Sequence, residues 1–547
     1  MSSAKEPVTR RFGNGLTVLI KEDKSHPVVS LQYWVGTGSM NEGHWQGSGL
    51  SHLLEHLVFK GTEHYSGQDL ARKVQERGGH WNAYTSVNRT VYYIDGPADS
   101  WQIFLNLLTE LVFFPTFPED ELEREKGVVR REMAMYADDP DSVAYQLLMQ
   151  TLYLKHPRRW PVLGEPAAFD CLTRQDVLDY HASRYVPNNV VLSIAGDVDA
   201  AEIFSHLELL VEDLKSRPLN RELIPHEPHQ FGSRRVRKEF AVPYSKLNLA
   251  WRLPCSGHPD TPALSALASI LGGGRSARFY EKFHDRLGLV YSIEVHSNQS
   301  ETDEGAFTIS IDVDRAQRDK VRDLVLQELR NLAQEDFTED LKRVCKQTRV
   351  SRLRRRSSAA GVASEMGADW FGARNLNLSS EWQEAIERVT TEDLHRVCST
   401  WLSSPNVTEV SLDPVGSNAA EEDGSAAGTE TALSEHVLGN GMKVVIREDH
   451  RLPLAYACLA FKAGCRAENE HDAGVTDLMS ECLLKGTATR SAGDIARFLE
   501  DIGGAINTST GNNSLSVGCQ ILAEDLDSGL ELMADVVMNP SFPEDAF

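Results

Sequence analysis

Two histidines and a glutamate in the segment His52-Leu53-Leu54-Glu55-His56 have the types and the spacing of a metal site. In a helix, residues i and i+4 lie on one face, so both imidazoles can reach one metal ion. Glu55 then lies beside that ion without having to bind it. This H-x-x-E-H order is a metallopeptidase signature. The alternative is a helix with two histidines, a glutamate and no metal, and these five residues alone leave both interpretations open.

A third ligand is needed, because a zinc hydrolase uses three protein ligands and an open position for water. Residues 118–137 are predicted to form a long charged helix, since Pro118 and the acidic residues after it suit a helix start. Glu125 and Glu132 lie seven residues apart in this segment and therefore on one helix face. Three arginines in the same segment allow the alternative that both glutamates form surface ion pairs.

A resemblance to a known family favours the metal site. Residues 49–62, which contain the H-x-x-E-H motif and end in Lys60-Gly61-Thr62, resemble the pitrilysin/insulinase family of zinc metallopeptidases. The resemblance is greatest to the branch of the mitochondrial processing peptidases and their bacterial relatives. Residues 78–85 (GGHWNAYT) resemble the family's substrate-binding strand, and further landmarks follow in the family's order over the whole chain.

The resemblance implies one zinc ion per chain, bound by His52, His56 and Glu132. It implies that Glu55 is the general base, which takes a proton from the metal-activated water and later returns it to the leaving amine. Glu125 is implied to be an outer carboxylate that orients one of the ligands.

The resemblance also implies how substrate is held. Asn82 and Ala83 are expected to bind an extended peptide backbone by β-augmentation, so the expected substrates are peptides or unfolded polypeptides. Tyr291 matches a family tyrosine that helps to stabilise the tetrahedral intermediate, but the family's arginine seven residues earlier is His284 here. Either Arg286 substitutes for it, or the functional pair comes from the second half of the molecule or from a partner subunit.

We therefore predict a zinc-dependent metalloendopeptidase or oligopeptidase. The alternative is a non-catalytic or partner-dependent subunit of the same fold, inactive alone because half of the substrate chamber is missing. A homodimer or a second chain would then complete the chamber.

An internal repeat organises the elements that must position these residues. Residues 12–16 (FGNGL) return as 438–442 (LGNGM), and from the KGT at 60–62 and 485–487 the two copies align 425 residues apart. The second copy stops at the equivalent of Leu122, so the chain resembles one complete copy followed by a truncated one. At the three motif positions the second copy has Asp477, Ser480 and Glu481, so we expect no second zinc site.

Strands and helices are predicted to mix without regular βαβ alternation. Strand patterns occur at residues 17–21, 28–35, 80–86, 90–95 and 188–196, and helical patterns at 49–59, 68–76 and 118–137. This favours α+β domains of mixed sheet with flanking helices, two in each half. The predicted domains are a catalytic zinc-binding domain (1–216), a second peptidase-family domain without a metal site (232–416), a flexible linker (417–432) and a truncated inactive copy of the first domain (433–547).

Composition and charge argue against several classes of partner. The 547 residues are 41% hydrophobic and 25% charged, as expected for a folded multidomain protein. The net charge of −24 argues against binding to nucleic acid or to an anionic membrane. No apolar run approaches the roughly 20 residues of a membrane span, and no secretory signal is seen, so we predict a cytoplasmic protein. Eight irregularly spaced cysteines predict reduced thiols.

Overall fold

A computed structural model describes residues 6–219, 222–300, 304–402, 406–416, 434–446, 454–464, 466, 468–469, 472–502, 504–511 and 513–544. The chain divides into two units, Met1–Gly424 and Ser425–Phe547. The predicted linker at residues 417–432 lies outside the described residues, and the predicted domain limits stay a prediction. Within the described part, no helix combines the length and the apolar character needed to cross a bilayer.

The first unit begins with a six-stranded mixed sheet. Its strands are β1 (Val8–Arg11), β2 (Thr17–Glu22), β3 (Val28–Val35), β4 (His80–Thr85), β5 (Thr90–Pro97) and β6 (Val190–Gly196). Their order is β1-β2-β6-β3-β5-β4, with β6 parallel to β2 and antiparallel to β3. Every residue of β6 is buried, which explains why its sequence is apolar apart from Ser193 and does not alternate with polar residues. β4 lies at the edge of the sheet.

The helices associated with this sheet follow from the apolar and charged patterns of the sequence. They are α1 (Leu50–Val58), α2 (Gly67–Gln75), α3 (Trp101–Phe113), α4 (Glu119–Asp138), α5 (Pro140–Leu152), α6 (Pro166–Asp170), α7 (Arg174–Arg184) and α8 (Ala200–Leu210). Pro118 precedes α4, and three acidic residues fill its first turn, where they face the positive end of the helix dipole. The leucines of α1 and α3 pack with β2, β3 and β6 in the main core of this domain.

A second sheet repeats the topology of the first. Its strands are β7 (Arg234–Phe240), β8 (Ser245–Leu253), β9 (Ser292–Asn298), β10 (Gly305–Val313) and β11 (Thr408–Pro414), in the order β7-β11-β8-β10-β9. The strand directions match those of β2-β6-β3-β5-β4, including the single parallel pair. The associated helices are α9 (Thr261–Gly272), α10 (Arg318–Asn331), α11 (Thr338–Arg355), α12 (Ala359–Ala373), α13 (Leu378–Glu387) and α14 (Thr391–Val397).

Two helices cross between the sheets and join them. α5 packs against β8 and β11 of the second sheet, where Leu148 and Leu152 meet Ala250 and Val410. α12 packs in return against β3 and β6 of the first sheet, around the buried Trp34. Each sheet thus packs against a helix from the part of the chain that forms the other sheet. The observed architecture confirms the predicted α+β class of mixed sheets with flanking helices.

The second unit repeats the first elements of the chain. It contains β12 (Ser434–Val437), β13 (Lys443–Ile446), β14 (Leu454–Phe461), α15 (Val475–Cys482), α16 (Ala492–Asp501), β15 (Ala505–Thr510), β16 (Leu515–Leu522) and α17 (Leu526–Met538). β12 pairs with β13, and the other strands follow the order β14-β16-β15, like β3-β5-β4. Each element begins 425 or 426 residues after its counterpart among β1 to β5 and α1 to α3.

Candidate metal centre

Helix α1 presents the H-x-x-E-H residues on the face opposite its apolar side. Leu50, Leu53, Leu54 and Leu57 are fully buried in the core of the domain, so the remaining face of this short helix carries the polar motif. The imidazole rings of His52 and His56 lie one turn apart, with centroids separated by 4.7 Å.

Helix α4 brings Glu132 to these two rings. Oε2 of Glu132 lies 3.8 Å from Nε2 of His52 and 3.9 Å from Nε2 of His56. The ligand atoms of the three residues all lie within 4.8 Å of one another, and no other such group of three occurs among the described residues. Two imidazole nitrogens and one carboxylate oxygen match a catalytic zinc set. The ligands of a tetrahedral zinc ion are about 3.4 Å apart, so the set fits zinc after small movements.

A second layer of charged groups holds His56. Nδ1 of His56 lies 3.1 Å from Oε2 of Glu125, and Nζ of Lys60 lies 2.7 Å from the other oxygen, Oε1. The Glu125 side chain is only 8% exposed. Because a carboxylate can only accept hydrogen bonds, Nδ1 carries a ring proton, and Nε2 is the nitrogen that can bind a metal. The contact between Glu125 and His56 agrees with the expectation that Glu125 orients one of the ligands.

The surroundings shift the pKa values of His52 and His56 in opposite directions. Burial, together with the neighbouring His56, lowers the pKa of His52 to about 4. Burial also opposes the charged form of His56, but the Glu125 hydrogen bond and the nearby carboxylates outweigh it and raise the pKa of His56. The pKa of Glu125 is lowered, because its hydrogen bonds to His56 and Lys60 outweigh the effect of burial.

Glu55 is held beside the cluster by the edge strand. The hydroxyl of Thr85, at the end of β4, donates a hydrogen bond of 2.5 Å to Oε2 of Glu55. Burial raises the pKa of Glu55, and the Thr85 hydrogen bond opposes part of that shift. A carboxyl with a raised pKa is a stronger base than an exposed one, as proton abstraction near neutral pH requires.

The predicted substrate-binding residues lie on separate elements of the structure. Asn82 and Ala83 lie on β4, which pairs on one side with β5, and Oδ1 of Asn82 accepts from the backbone N–H of Ala83 at 2.8 Å. Tyr291 is 58% exposed, and its ring lies 5.1 Å from that of Tyr244 at a tilt of 42°. Its backbone N–H donates to the backbone carbonyl of Asp312. Among the described contacts, none joins Tyr291 to the histidine cluster.

His284 and Arg286, at and beside the position of the family's arginine, both have local partners. His284 pairs with Asp285 and stacks on Tyr280. Arg286 is exposed and pairs with Glu281. None of the described contacts joins Arg286 to the histidine cluster, and both alternatives for the arginine stay predictions.

The second copy keeps the framework and lacks the ligands. Asp477, Ser480 and Glu481 lie on α15, as the repeat predicts, and Asp477 accepts a hydrogen bond of 2.6 Å from Thr510. No grouping of three ligand atoms occurs there among the described residues.

Comparison with known proteins places this geometry in a family. The insulinase family profile, peptidase family M16, matches residues 17–165 and 443–547, and the profile of the M16 inactive domain matches residues 172–347. The chain belongs to peptidase family M16. The predicted resemblance to the pitrilysin/insulinase family is therefore confirmed, and both copies of the repeat match the same M16 profile.

Individual M16 relatives support the family assignment. An uncharacterized zinc protease of Rickettsia felis is 27% identical over 406 residues, which are 72% of this chain and 94% of that protein. A probable mitochondrial-processing peptidase β subunit of Arabidopsis thaliana is 24% identical over 422 residues, 76% of this chain and 79% of that protein. The crystal structure of a protease from Helicobacter pylori superposes with a TM-score of 0.69 at 26% identity, covering 75% of this chain and 100% of that one.

Two residues that contact the candidate site residues were not predicted from the sequence to have a role. Lys60 and Thr85 both lie inside the recognised motifs, but their contacts with Glu125 and Glu55 depend on how α1 packs against α4 and β4. One signal was available for Thr85: it is two residues from Ala83 and so on the same face of β4.

Proposed function

We propose that the chain is a zinc-dependent endopeptidase or oligopeptidase that hydrolyses peptides or unfolded polypeptides. The observation that carries this proposal is the convergence of His52, His56 and Glu132 beside the half-buried Glu55. The names of the M16 relatives as zinc proteases support the choice of metal. We propose one zinc ion per chain, bound by the two imidazole Nε2 atoms and the Glu132 carboxylate.

The residues divide the chemistry between them. When bound, zinc supplies the Lewis acidity that activates water and polarises a peptide carbonyl. Glu55 accepts the proton from water at its carboxylate and then donates it to the nitrogen of the leaving amine. Glu125 keeps the ring proton of His56 on Nδ1, which leaves Nε2 free to bind the metal.

The edge strand supplies the means of holding substrate. A peptide added to the free side of β4 forms backbone hydrogen bonds along Asn82 and Ala83, next to the strand end where Thr85 holds Glu55. Backbone pairing depends little on side chains, so we propose broad specificity for extended chains.

A second candidate is a partner-dependent peptidase. It is favoured by the positions of Tyr291 and Arg286, which no described contact connects to the cluster. In this version a second copy of the chain or another subunit supplies the groups that stabilise the transition state.

Cleavage of a quenched fluorescent peptide mixture by the zinc-loaded chain tests the proposal. Glu55→Gln should retain zinc and lose activity by a factor of about 10²–10⁴, because it removes the base and no ligand. Ser480→Ala, at the equivalent position of the second copy, is the matched control and should cleave normally. Near-normal cleavage by Glu55→Gln would refute the mechanism.

Metal analysis tests the ligand set separately. His52→Ala and Glu132→Ala should each reduce zinc occupancy, and full occupancy in both would show that the ligands are wrongly assigned. One bound zinc without hydrolysis in the wild-type chain favours the partner-dependent candidate.

A further inference from the structure

The two histidines of the candidate site are held in different ways. Nδ1 of His56 faces Glu125, whereas Nδ1 of His52 is buried and has no hydrogen-bond partner. An imidazole without an orienting partner depends on its packing and on the backbone that carries it. His52 is the third residue of α1, so that backbone is the first turn of the helix.

The first turn of α1 has no capping side chain of its own. Gly49 precedes the helix with φ of 73°, in the left-handed region, and a Cβ at this position would lie 2.0 Å from the carbonyl oxygen of Leu163. Only glycine fits there. Glycine offers no oxygen to the free N–H groups at the helix start, which in a buried site must find acceptors elsewhere.

Glu42 supplies that acceptor from an earlier part of the chain. Its Oε1 accepts from the backbone N–H of Ser51 at 2.8 Å, and the residue is 1% exposed. The hydroxyl of Ser51 lies 2.7 Å from the hydroxyl of the buried Tyr180. The residue immediately before His52 is therefore fixed through both its backbone and its side chain.

The second copy has the same cap without the metal ligands. Gly474 precedes α15 with φ of 91°, and Glu468 accepts from the backbone N–H groups of Gly474 at 2.7 Å and Thr476 at 2.9 Å. Because α15 has Asp477 in place of the first histidine, the chain contains a capped helix that cannot bind zinc in the same way. This repeat provides an internal control for the effect of the cap.

We propose that Glu42 is a positioning residue for the metal site, which caps α1 and so holds His52 with Nε2 directed at Glu132. The proposal rests on the proposed function, because it takes His52 and Glu132 as zinc ligands. Glu42 acts through the helix backbone and touches neither metal nor substrate.

Zinc affinity, measured by competition with a chromophoric chelator, tests the proposal. Glu42→Met keeps the length of the side chain and removes the acceptor, and it should weaken zinc binding about tenfold. Glu42→Gln should bind within about threefold of wild type, because its amide oxygen can still accept from Ser51. Burial raises the pKa of Glu42 to about 8, so a neutral amide is a close replacement near neutral pH.

Glu468→Met is the matched control and should leave the zinc Kd unchanged. The visible spectrum of bound Co²⁺, which reports ligand geometry, should change in Glu42→Met and not in Glu468→Met. A folded Glu42→Met with a zinc Kd within twofold of wild type would overturn the proposal, and so would equal weakening by Glu468→Met. If Glu42→Met does not fold, Glu42→Asp, whose shorter side chain withdraws the acceptor, takes its place with the same expected weakening.

These measurements are independent of hydrolysis. A wild-type chain that binds zinc and cleaves no peptide contradicts a peptidase that is active alone, and the zinc affinities of the variants then still decide the role of Glu42. A wild-type chain that binds no zinc contradicts both.

Discussion

Removing Glu125 should weaken zinc binding because it removes the group that orients His56. The carboxylate is 8% exposed and lies 3.1 Å from Nδ1 of His56. A buried hydrogen bond to a charged group contributes about 1.5–3 kcal/mol, which corresponds to roughly 10- to 150-fold in an equilibrium constant. Glu125→Met, which loses both charge and acceptor, should weaken zinc binding about 100-fold, and Glu125→Gln, which keeps an acceptor, about tenfold.

Lys60 should matter less than Glu125, although its ammonium lies closer to the carboxylate. The Lys60 side chain is 30% exposed, so solvent screens the ion pair, and water can replace the ammonium when Lys60 becomes Met. We expect Lys60→Met to weaken zinc binding by only about two- to fivefold. The matched control is Arg130→Met, which removes an exposed ion pair between Asp170 and α4, the helix that carries Glu125, and should leave the zinc Kd unchanged.

The pH dependence of the zinc Kd provides a sharper test of the same arrangement. Glu125 raises the pKa of His56, so in the wild type protons compete with zinc below that raised pKa. Without Glu125 the pKa of His56 is lower, so protons begin to compete with zinc only at a lower pH. The zinc Kd of Glu125→Met divided by the zinc Kd of wild type should be largest in mildly alkaline solution and should decrease as the pH falls. A Glu125→Met chain that is folded and binds zinc within twofold of wild type would refute the argument.

Two further predictions concern turnover and stability. Thr85→Val removes the hydroxyl that donates to Glu55 and should lower kcat about tenfold, with KM and zinc content within twofold of wild type. Thr85→Ser keeps a hydroxyl and should recover most of the lost activity. Steady-state kinetics of wild type and the two variants test this, and equal kcat values in all three would contradict it. Arg318→Met removes the nearer of two arginines that pair with the fully buried Asp413 and should destabilise the first unit by about 3 kcal/mol. This is the low end of the range for breaking a buried pair, because Arg315 stays 3.9 Å from the carboxylate and two serine hydroxyls also donate to it. Urea unfolding followed by circular dichroism measures it, and an unchanged midpoint would contradict it.

The elements around the site could be predicted because their signals are local. The pattern at residues 28–35 predicts β3 with its observed bounds, and the helix predicted at 118–137 is observed at Glu119–Asp138. Errors are confined to the ends. The prediction for α1 included Gly49 and Phe59, which are the capping residues outside the helix. The ligand set depended on the H-x-x-E-H spacing and on the family resemblance, since either glutamate of α4 was also compatible with a surface ion pair.

The remaining features depend on contacts between distant parts of the chain. Nothing near residues 190–196 indicates that β6 lies between β2 and β3, because that position is decided by the packing of the whole sheet. The same holds for the crossing of α5 and α12 between the two sheets. The partners of the site residues also depend on distant contacts: Glu42 accepts from Ser51 at the start of α1, where Gly49 lies close against the backbone of Leu163.

The two copies of the repeat separate what the fold requires from what the chemistry requires. Both keep a glycine in the left-handed region before the helix and a glutamate that caps it. Both also keep a threonine at the end of the edge strand that donates to the helix, to Glu55 in the first copy and to Asp477 in the second. The framework therefore persists where the histidines do not. The leucines of α1 that pack in the core lie on a different face from the polar motif, so the ligands can change without disturbing the core. A similar fold in the two copies therefore does not indicate that both bind zinc; the residues on the polar face decide that.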